Sequence, residues 1–247
     1  MTSAAPRKAP LFDPQAVPIT GRDSHLPALD AERLTSSYLR RRFQEERICE
    51  FEVTDENRLA QVALANTQQG QVFQPNPAAV LVPLLNHSEL RVLLTQRTAH
   101  LHDHPGQISF PGGRTDPNDL NPEATALREA QEEIGLNDAA VEILGRLPNY
   151  LTITGYEVTP IVALVQPQEH YPVDPFEVAE VFEVPLHFLM NPQHHETRTW
   201  QSEQGQRRFY AMPYQNKFIW AQLRVCYGIF IIFYEHDIFF YSISPHC

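Results

Sequence analysis

The stretch NPEATALREAQEEIG, residues 121–135, constrains this chain most. Asn121 is a good N-cap, Pro122 suits the first helical position, and Gly135 suits the stop. Together they predict a helix over 122–134. With each residue turning about 100° around the axis, Ala124, Leu127, Ala130 and Ile134 share one face. Glu129, Glu132 and Glu133 share the opposite one, at spacings of three and four. Like charges so spaced destabilise a helix by about 0.2–0.5 kcal/mol per pair. Either water and salt screen that cost, or a divalent cation supplies the missing charge. Carboxylates one turn apart can ligate one ion or two neighbouring ions, and their hard oxygens suit Mg2+ or Mn2+. Mg2+ recruits phosphate oxygens, so the second reading implies a phosphate-bearing small molecule.

The flanking sequence is rich in strands. AAVLVPLL (78–85) and LRVLLTQRT (90–98), split by Asn86-His87-Ser88, predict a hairpin, with Pro83 pushing its first strand toward a sheet edge or a bulge. ISFPGG (108–113) reads as a short strand running into a glycine turn. VEILGRLPNY (141–150), EVTPIVALV (157–165) and VAEVFEVPL (178–186) read as strands, HFLMN as a short helix, and RRFYAMPYQNKFIWA (207–221) as one or two more strands. Residues 30–47 predict a helix opened by Asp30 as cap. On it, Arg40, Arg41 and Arg42 form either a small anion site or a solvated face. Many strands with few helices predict an α/β fold, a mixed sheet with helices packed on it.

The 247 residues suffice for one sizeable domain. The boundaries read as an irregular Pro-rich arm over 1–27, a domain over 28–222, and an atypical apolar, aromatic-rich tail over 223–247. A formal net charge of -11 argues against a nucleic-acid footprint. Cys49, Cys226 and Cys247 are scattered, which suits a reducing, cytoplasmic setting rather than a disulfide scaffold or a zinc site. The first residues lack the apolar core of a secretory signal. No apolar run reaches the length of a membrane span, so a membrane role is not expected. The tail has no lysine or arginine after Arg224 and holds two of the three cysteines. Three readings of it stand open: an extra hairpin or homodimer interface, an interfacial membrane contact, or an out-of-frame extension.

Strand, glycine loop and acidic helix together resemble the Nudix hydrolase signature, G-x5-E-x7-R-E-U-x-E-E-x-G-U, where U is aliphatic. Its second half stands as Arg128-Glu129-Ala130-Gln131-Glu132-Glu133-Ile134-Gly135-Leu136. The first half departs. Counting back from Arg128, the glutamate position holds Leu120 and the glycine position Arg114. The loop is one residue longer, Gly113 to Asp119 reads G-x5-D, and Asp116 and Asp119 both stand as the loop carboxylate. LLTQRTAHLHDHPGQISFPGGRTDPNDL, residues 93–120, is similar to the lead-in of the coenzyme A pyrophosphatase branch. It carries Arg97, His104, Gly106, Gln107, Phe110, Pro111, Gly112, Gly113, Asp116 and Asp119. Thr98 and His102 differ from the serine and the basic residue of that branch. The resemblance covers roughly residues 30–220 and stops after Trp220.

The resemblance implies a Nudix α/β/α sandwich, with a central mixed sheet flanked by helices. It implies metal-dependent hydrolysis of a phosphoric anhydride, with coenzyme A or acyl-CoA as the leading substrate. Another nucleoside diphosphate derivative (a nucleoside triphosphate, ADP-ribose or NADH) is the alternative. A silent binding module on the same fold is the reading from another class. The metal ligands implied are Glu129, Glu133 and Glu132, with Arg128 holding a glutamate in place. Glu177 is either a base or an extra ligand, or else a solvated loop glutamate. Arg97 either pairs with phosphate or bridges within the sheet, and His104 either donates to phosphate or is structural. Gly112 and Gly113 let the backbone approach the ligand. Tyr150, Tyr156 and Phe110 either stack on an adenine or pack in the core.

Overall fold

The computed structural model describes residues 13–45, 74–101, 105–152, 154–202 and 205–220. The first part of the arm, His102, His104, the three cysteines and the 223–247 tail lie outside the described residues.

Two sheets are present among these residues. The larger has eight strands: β2 (Asn76–Asn86), β3 (Leu90–Arg97), β4 (Ile108–Ser109), β5 (Gly112–Arg114), β6 (Val141–Arg146), β7 (Tyr150–Leu151), β8 (Tyr156–Val165) and β9 (Val178–Pro185). Its path runs β4-β3-β2-β8-β6, with β5 on β2, β7 on β8 and β9 on β3. The β2–β8 pair is parallel and the other pairs are antiparallel, so the sheet is mixed as expected.

Alternation along the central strands builds two cores. Val82 and Leu84 of β2, Val92 and Leu94 of β3, and Val162 and Leu164 of β8 face one side. Leu39 of helix α1 (Ser36–Gln44) is buried on that side. Ala79, Leu81 and Leu85, with Leu93, Ile161, Ala163 and Val165, face the other. There they meet Ala126, Ala130 and Ile134 of helix α2 (Pro122–Ile134). Helices therefore cover both faces, giving the α/β/α sandwich. Four-residue helix α3 (Leu186–Leu189) follows β9 directly.

The structure corrects four expectations. Pro83 does not sit at an edge, because β2 is central. On its β5/β3 side, β2 pairs with β5 up to Val80 and with β3 only from Leu84. The Leu81 N–H is taken by Pro111 O on that side. Pro83, two residues on, aims its missing donor into the gap between the two partners, where no ladder bond is lost. The helix after residue 30 opens later than expected. Asp30 precedes a short 3-10 turn, and Thr35 caps α1 by accepting the Tyr38 N–H at 3.2 Å.

The arm is not irregular throughout. Ile19–Arg22 is strand β1, which joins β10 (Glu196–Ser202), β11 (Gly205–Tyr214) and β12 (Lys217–Trp220) in an antiparallel four-stranded sheet. The Arg198 guanidinium pins it by donating to the carbonyls of Gln15 and Val17, both at 2.8 Å. Arg22 adds an ion pair to Glu196 at 2.7 Å. Finally, the buried side of α2 carries Thr125, Ala126, Ala130, Glu133 and Ile134, while Ala124 and Leu127 are only half-buried. Glu133 thus belongs with the buried face, not opposite it.

The arginines of α1 are accounted for within the protein. Arg40 forks onto Glu142 with two 2.7 Å bonds, Arg41 lies over the Tyr38 ring, and Arg42 pairs with Glu45. These contacts speak against a joint anion site, while Arg42, its side chain 15% exposed, does not belong to a solvated face either.

Candidate active site

The ends of α2 form as its sequence dictates. The Asn121 side chain accepts the Ala124 N–H at 2.8 Å, and Pro122 supplies a first turn that lacks a donor. Gly135 takes a left-handed conformation, φ 59°, and returns its N–H to Gln131 O at 2.9 Å. A Cβ there would also lie 2.3 Å from the Pro172 ring. The helix is thereby fixed in length and rotation against the sheet.

Arg128 is the hub of the acidic side. Its Nε and Nη2 donate to the two oxygens of Asp119, at 3.1 and 3.0 Å. Nη2 also donates to Arg114 O at 2.9 Å, and Nη1 to Glu129 and Glu132, each at 3.0 Å. Asp119 further accepts the Thr125 hydroxyl and the Asp116 N–H. The hydrogen bonds from Arg128 hold the Asp119 carboxyl down at about 2. Asp119 is therefore a latch between the loop and the helix, whereas Asp116 turns outward and caps the Asn118 N–H. Of the two loop carboxylates named from sequence, the structure puts Asp119 on Arg128.

The glycine strand lies against the helix. A Cβ on Gly113 would come within 2.6 Å of the Glu129 carboxyl. At Gly112, φ 153°, it would strike Ala79 O at 2.4 Å. Only glycine admits both approaches.

Glu129, Glu133 and Glu177 form the charged centre. The Glu133 residue is 6% exposed. Burial, then the nearby Glu129 and Glu177 charges, raise its carboxyl to about 8, against the pull of Arg97 and a hydrogen bond from the Gly112 backbone. Burial also raises Glu129, opposed by its bond to Arg128. Glu177 is delivered by the loop before β9. Asp174 N–H docks on Glu133 O at 2.9 Å, and the Glu177 N–H returns to Asp174 O at 3.1 Å. Glu132 is different: its side chain is 60% exposed and turned to Arg128. Arg97 leaves β3 beside this cluster, and its buried Nε has no hydrogen-bond partner among the described residues. Thr98 reaches across to the same loop, its N–H donating to Glu177 O at 2.9 Å.

Against these three buried or half-buried carboxyls beside a glycine backbone stand Arg128, bonded to Glu129, and the pull of Arg97 on Glu133, and the carboxyl oxygens suit a hard divalent ion. Among the described residues no three side chains are already drawn into a ligand cluster. The ring candidates separate: Tyr150 and Phe110 pack against the core, and Tyr156 carries Arg114 at 5.1 Å. Sequence reasoning missed Phe176, an exposed ring next to Glu177. The apolar residue in the acidic DPFEV turn was its only signal.

Central mixed sheet, two helical layers, glycine strand and acidic helix define a hydrolase of the Nudix type. The model for the NUDIX domain matches residues 75–205, and the chain belongs to that family. It is 40% identical over 150 residues to the "Uncharacterized Nudix hydrolase NudL" of Enterobacter sp. (strain 638), covering 61% of this chain and 78% of that protein. Its likeness to the protein of that name from Citrobacter koseri is 38% over 152 residues, covering 62% and 79%. Among solved structures, the NUDIX domain of Shewanella oneidensis NrtR complexed with ADP ribose superposes with TM-score 0.39 and 26% identity, over 51% of this chain and 82% of that one. A Nudix hydrolase from M. Smegmatis, RenU, gives TM-score 0.39 and 25% identity over 45% and 71%. Among the described residues no helix is long and apolar enough to cross a membrane.

Proposed function

We propose that this Nudix hydrolase cleaves the pyrophosphate bond of coenzyme A or acyl-CoA. The products are 4'-phosphopantetheine or its acyl form, and adenosine 3',5'-bisphosphate. The observation that carries hydrolysis is the grouping of Glu129, Glu133 and Glu177 beside Gly112-Gly113 and beside Arg97, whose Nε has no hydrogen-bond partner among the described residues. The choice of coenzyme A rests on the similarity of residues 93–120 to that branch.

Glu129 and Glu133 would hold Mg2+ or Mn2+, with Glu177 as a further ligand or the base and Glu132 at the rim. A bound divalent ion lowers the pKa of an attacking water and offsets charge on the phosphate oxygens. The protein supplies the rest. Arg128 keeps Glu129 aimed while Asp119 locks Arg128. Gly113 lets the Glu129 carboxylate lie against the strand, and Gly112 lets that strand pack on Ala79. Arg97 offers a donor to an anionic oxygen. The enclosed position of Glu133 keeps bulk water from dispersing these charges.

The test is incubation of the full chain with coenzyme A and Mg2+ or Mn2+, with products read by mass spectrometry beside a Glu133→Gln variant and a chelator control. Phosphopantetheine and adenosine 3',5'-bisphosphate, absent from both controls, are expected. Folded protein that leaves coenzyme A intact while cleaving ADP-ribose, NADH or a nucleoside triphosphate moves the reading to that substrate. Cleavage of none of them leaves a binding module.

A further inference from the structure

Phe176 is exposed where an aromatic ring would ordinarily be buried. At 63% relative exposure it is the one exposed phenylalanine, tyrosine or tryptophan among the described residues. The exposure does not come from a loose loop. The Phe176 N–H donates to Asp174 Oδ1 at 2.9 Å, and its carbonyl accepts the Thr98 hydroxyl at 2.8 Å. Thr98 is itself buried at the end of β3, so the turn is clamped to the sheet. Asp174 in turn is docked on the Glu133 carbonyl of α2. The backbone is held from both sides while the ring is left in water. His100 stands edge-on to it, with centroids 5.0 Å apart and planes at 63°. The two rings form a corner one residue from Glu177 and three from Arg97.

We propose that Phe176, with His100 at its edge, is the shelf on which the planar base of a nucleotide substrate stacks. The inference rests on the phosphoanhydride reading above and adds the part of the substrate that reading leaves unplaced. A flat π surface is what a fixed, exposed ring recognises best, and every base presents one. The base is uncharged, so the acidic surroundings do not repel it, while its phosphates go to the cation site and Arg97. Consecutive Cα atoms lie about 3.8 Å apart. Phe176 is thus within reach of a base joined through ribose to phosphates at the Glu177 side. Phe110 and Tyr150 are partly buried against the core and present less free ring than Phe176.

The test uses the full chain with Mg2+ and two probes, ADP and inorganic pyrophosphate, read by calorimetry. Phe176→Ala weakens ADP binding by about tenfold or more, the usual worth of one stacked base. It leaves pyrophosphate binding unchanged, and Phe176→Tyr restores ADP affinity. Equal loss for both probes, or no loss for ADP, overturns the shelf. A wild-type protein that binds pyrophosphate but holds ADP no more tightly overturns the shelf alone. One that binds neither overturns the phosphoanhydride reading with it.

Discussion

Arg128 and Asp119 grip each other through two parallel hydrogen bonds, Nε to Oδ1 at 3.1 Å and Nη2 to Oδ2 at 3.0 Å. The Asp119 side chain is 6% exposed, so little water competes. Only the planar guanidinium can make this fork and still reach Glu129 and Glu132. Arg128→Lys keeps the charge and loses the fork. It is expected to cost about 2 kcal/mol of stability, the scale of charge-assisted hydrogen bonds lost from an enclosed pair. Urea denaturation measures it, and an unchanged midpoint with unchanged slope would refute the latch.

The same pair sets an acid limit. The Asp119 carboxyl is held at about 2, below its ordinary 3.8. A depressed pKa stabilises the fold fully above the unfolded value and loses that stabilisation as pH falls toward the folded one. Between pH 3.8 and about 2 the fold therefore gives up what this carboxylate contributes. Asp119→Asn should melt below wild type at pH 5, and the gap should close on approach to pH 2. Melting curves that stay parallel over that range would exclude the pair as the cause.

Gly113→Ala tests the close approach of strand to helix. The new methyl would sit 2.6 Å from the Glu129 carboxyl, which must swing away. The expected result is a nearly native melting temperature with turnover lowered by about a hundredfold, since a small misplacement of a reacting geometry can cost that much. Gly112→Ala differs, because its methyl strikes the Ala79 carbonyl at 2.4 Å and backbone cannot swing aside. It should lower stability as well as turnover. Equal effects of the two substitutions on melting would contradict this division.

What was legible in the sequence was local. The limits of α2 follow from Asn121, Pro122 and Gly135, whose effects act within one turn of chain. The central strands follow from their apolar runs. What was hidden depends on distant partners. Strand β1 forms because β10, some 175 residues on, offers Thr199 and Glu196 to it. Pro83 is tolerated inside the sheet because two other strands leave a gap beside it. A helical wheel puts the three glutamates together, yet the 166–177 loop covers one of them. Glu133 is enclosed while Glu132 stays in water, and only tertiary packing separates them. Phe176 was invisible for a related reason: nothing local says that an apolar residue in an acidic turn will be clamped outward.

Glu133 makes the sharpest prediction because its burial opposes stability. Its carboxyl titrates near 8 in the folded protein, above the ordinary 4.5. Between those values the folded metal-free chain holds a proton that the unfolded chain has released. Stability therefore falls as pH rises through that window. Glu133→Gln keeps the shape and cannot ionise, so in the presence of chelator its melting temperature should lose that slope and exceed wild type above pH 8. With Mg2+ the order should reverse, because a ligand that binds only the folded state raises its stability and the variant lacks the carboxylate to hold it. Turnover should fall by about a hundredfold or more, at least the loss seen when groups that merely support a metal ligand are removed. Thermal melts of both proteins from pH 5 to 9, with chelator and with Mg2+, check the whole set. A wild-type curve with no slope in that window would mean that Glu133 is not held neutral by its surroundings. A variant that keeps Mg2+-dependent turnover would remove Glu133 from the metal site.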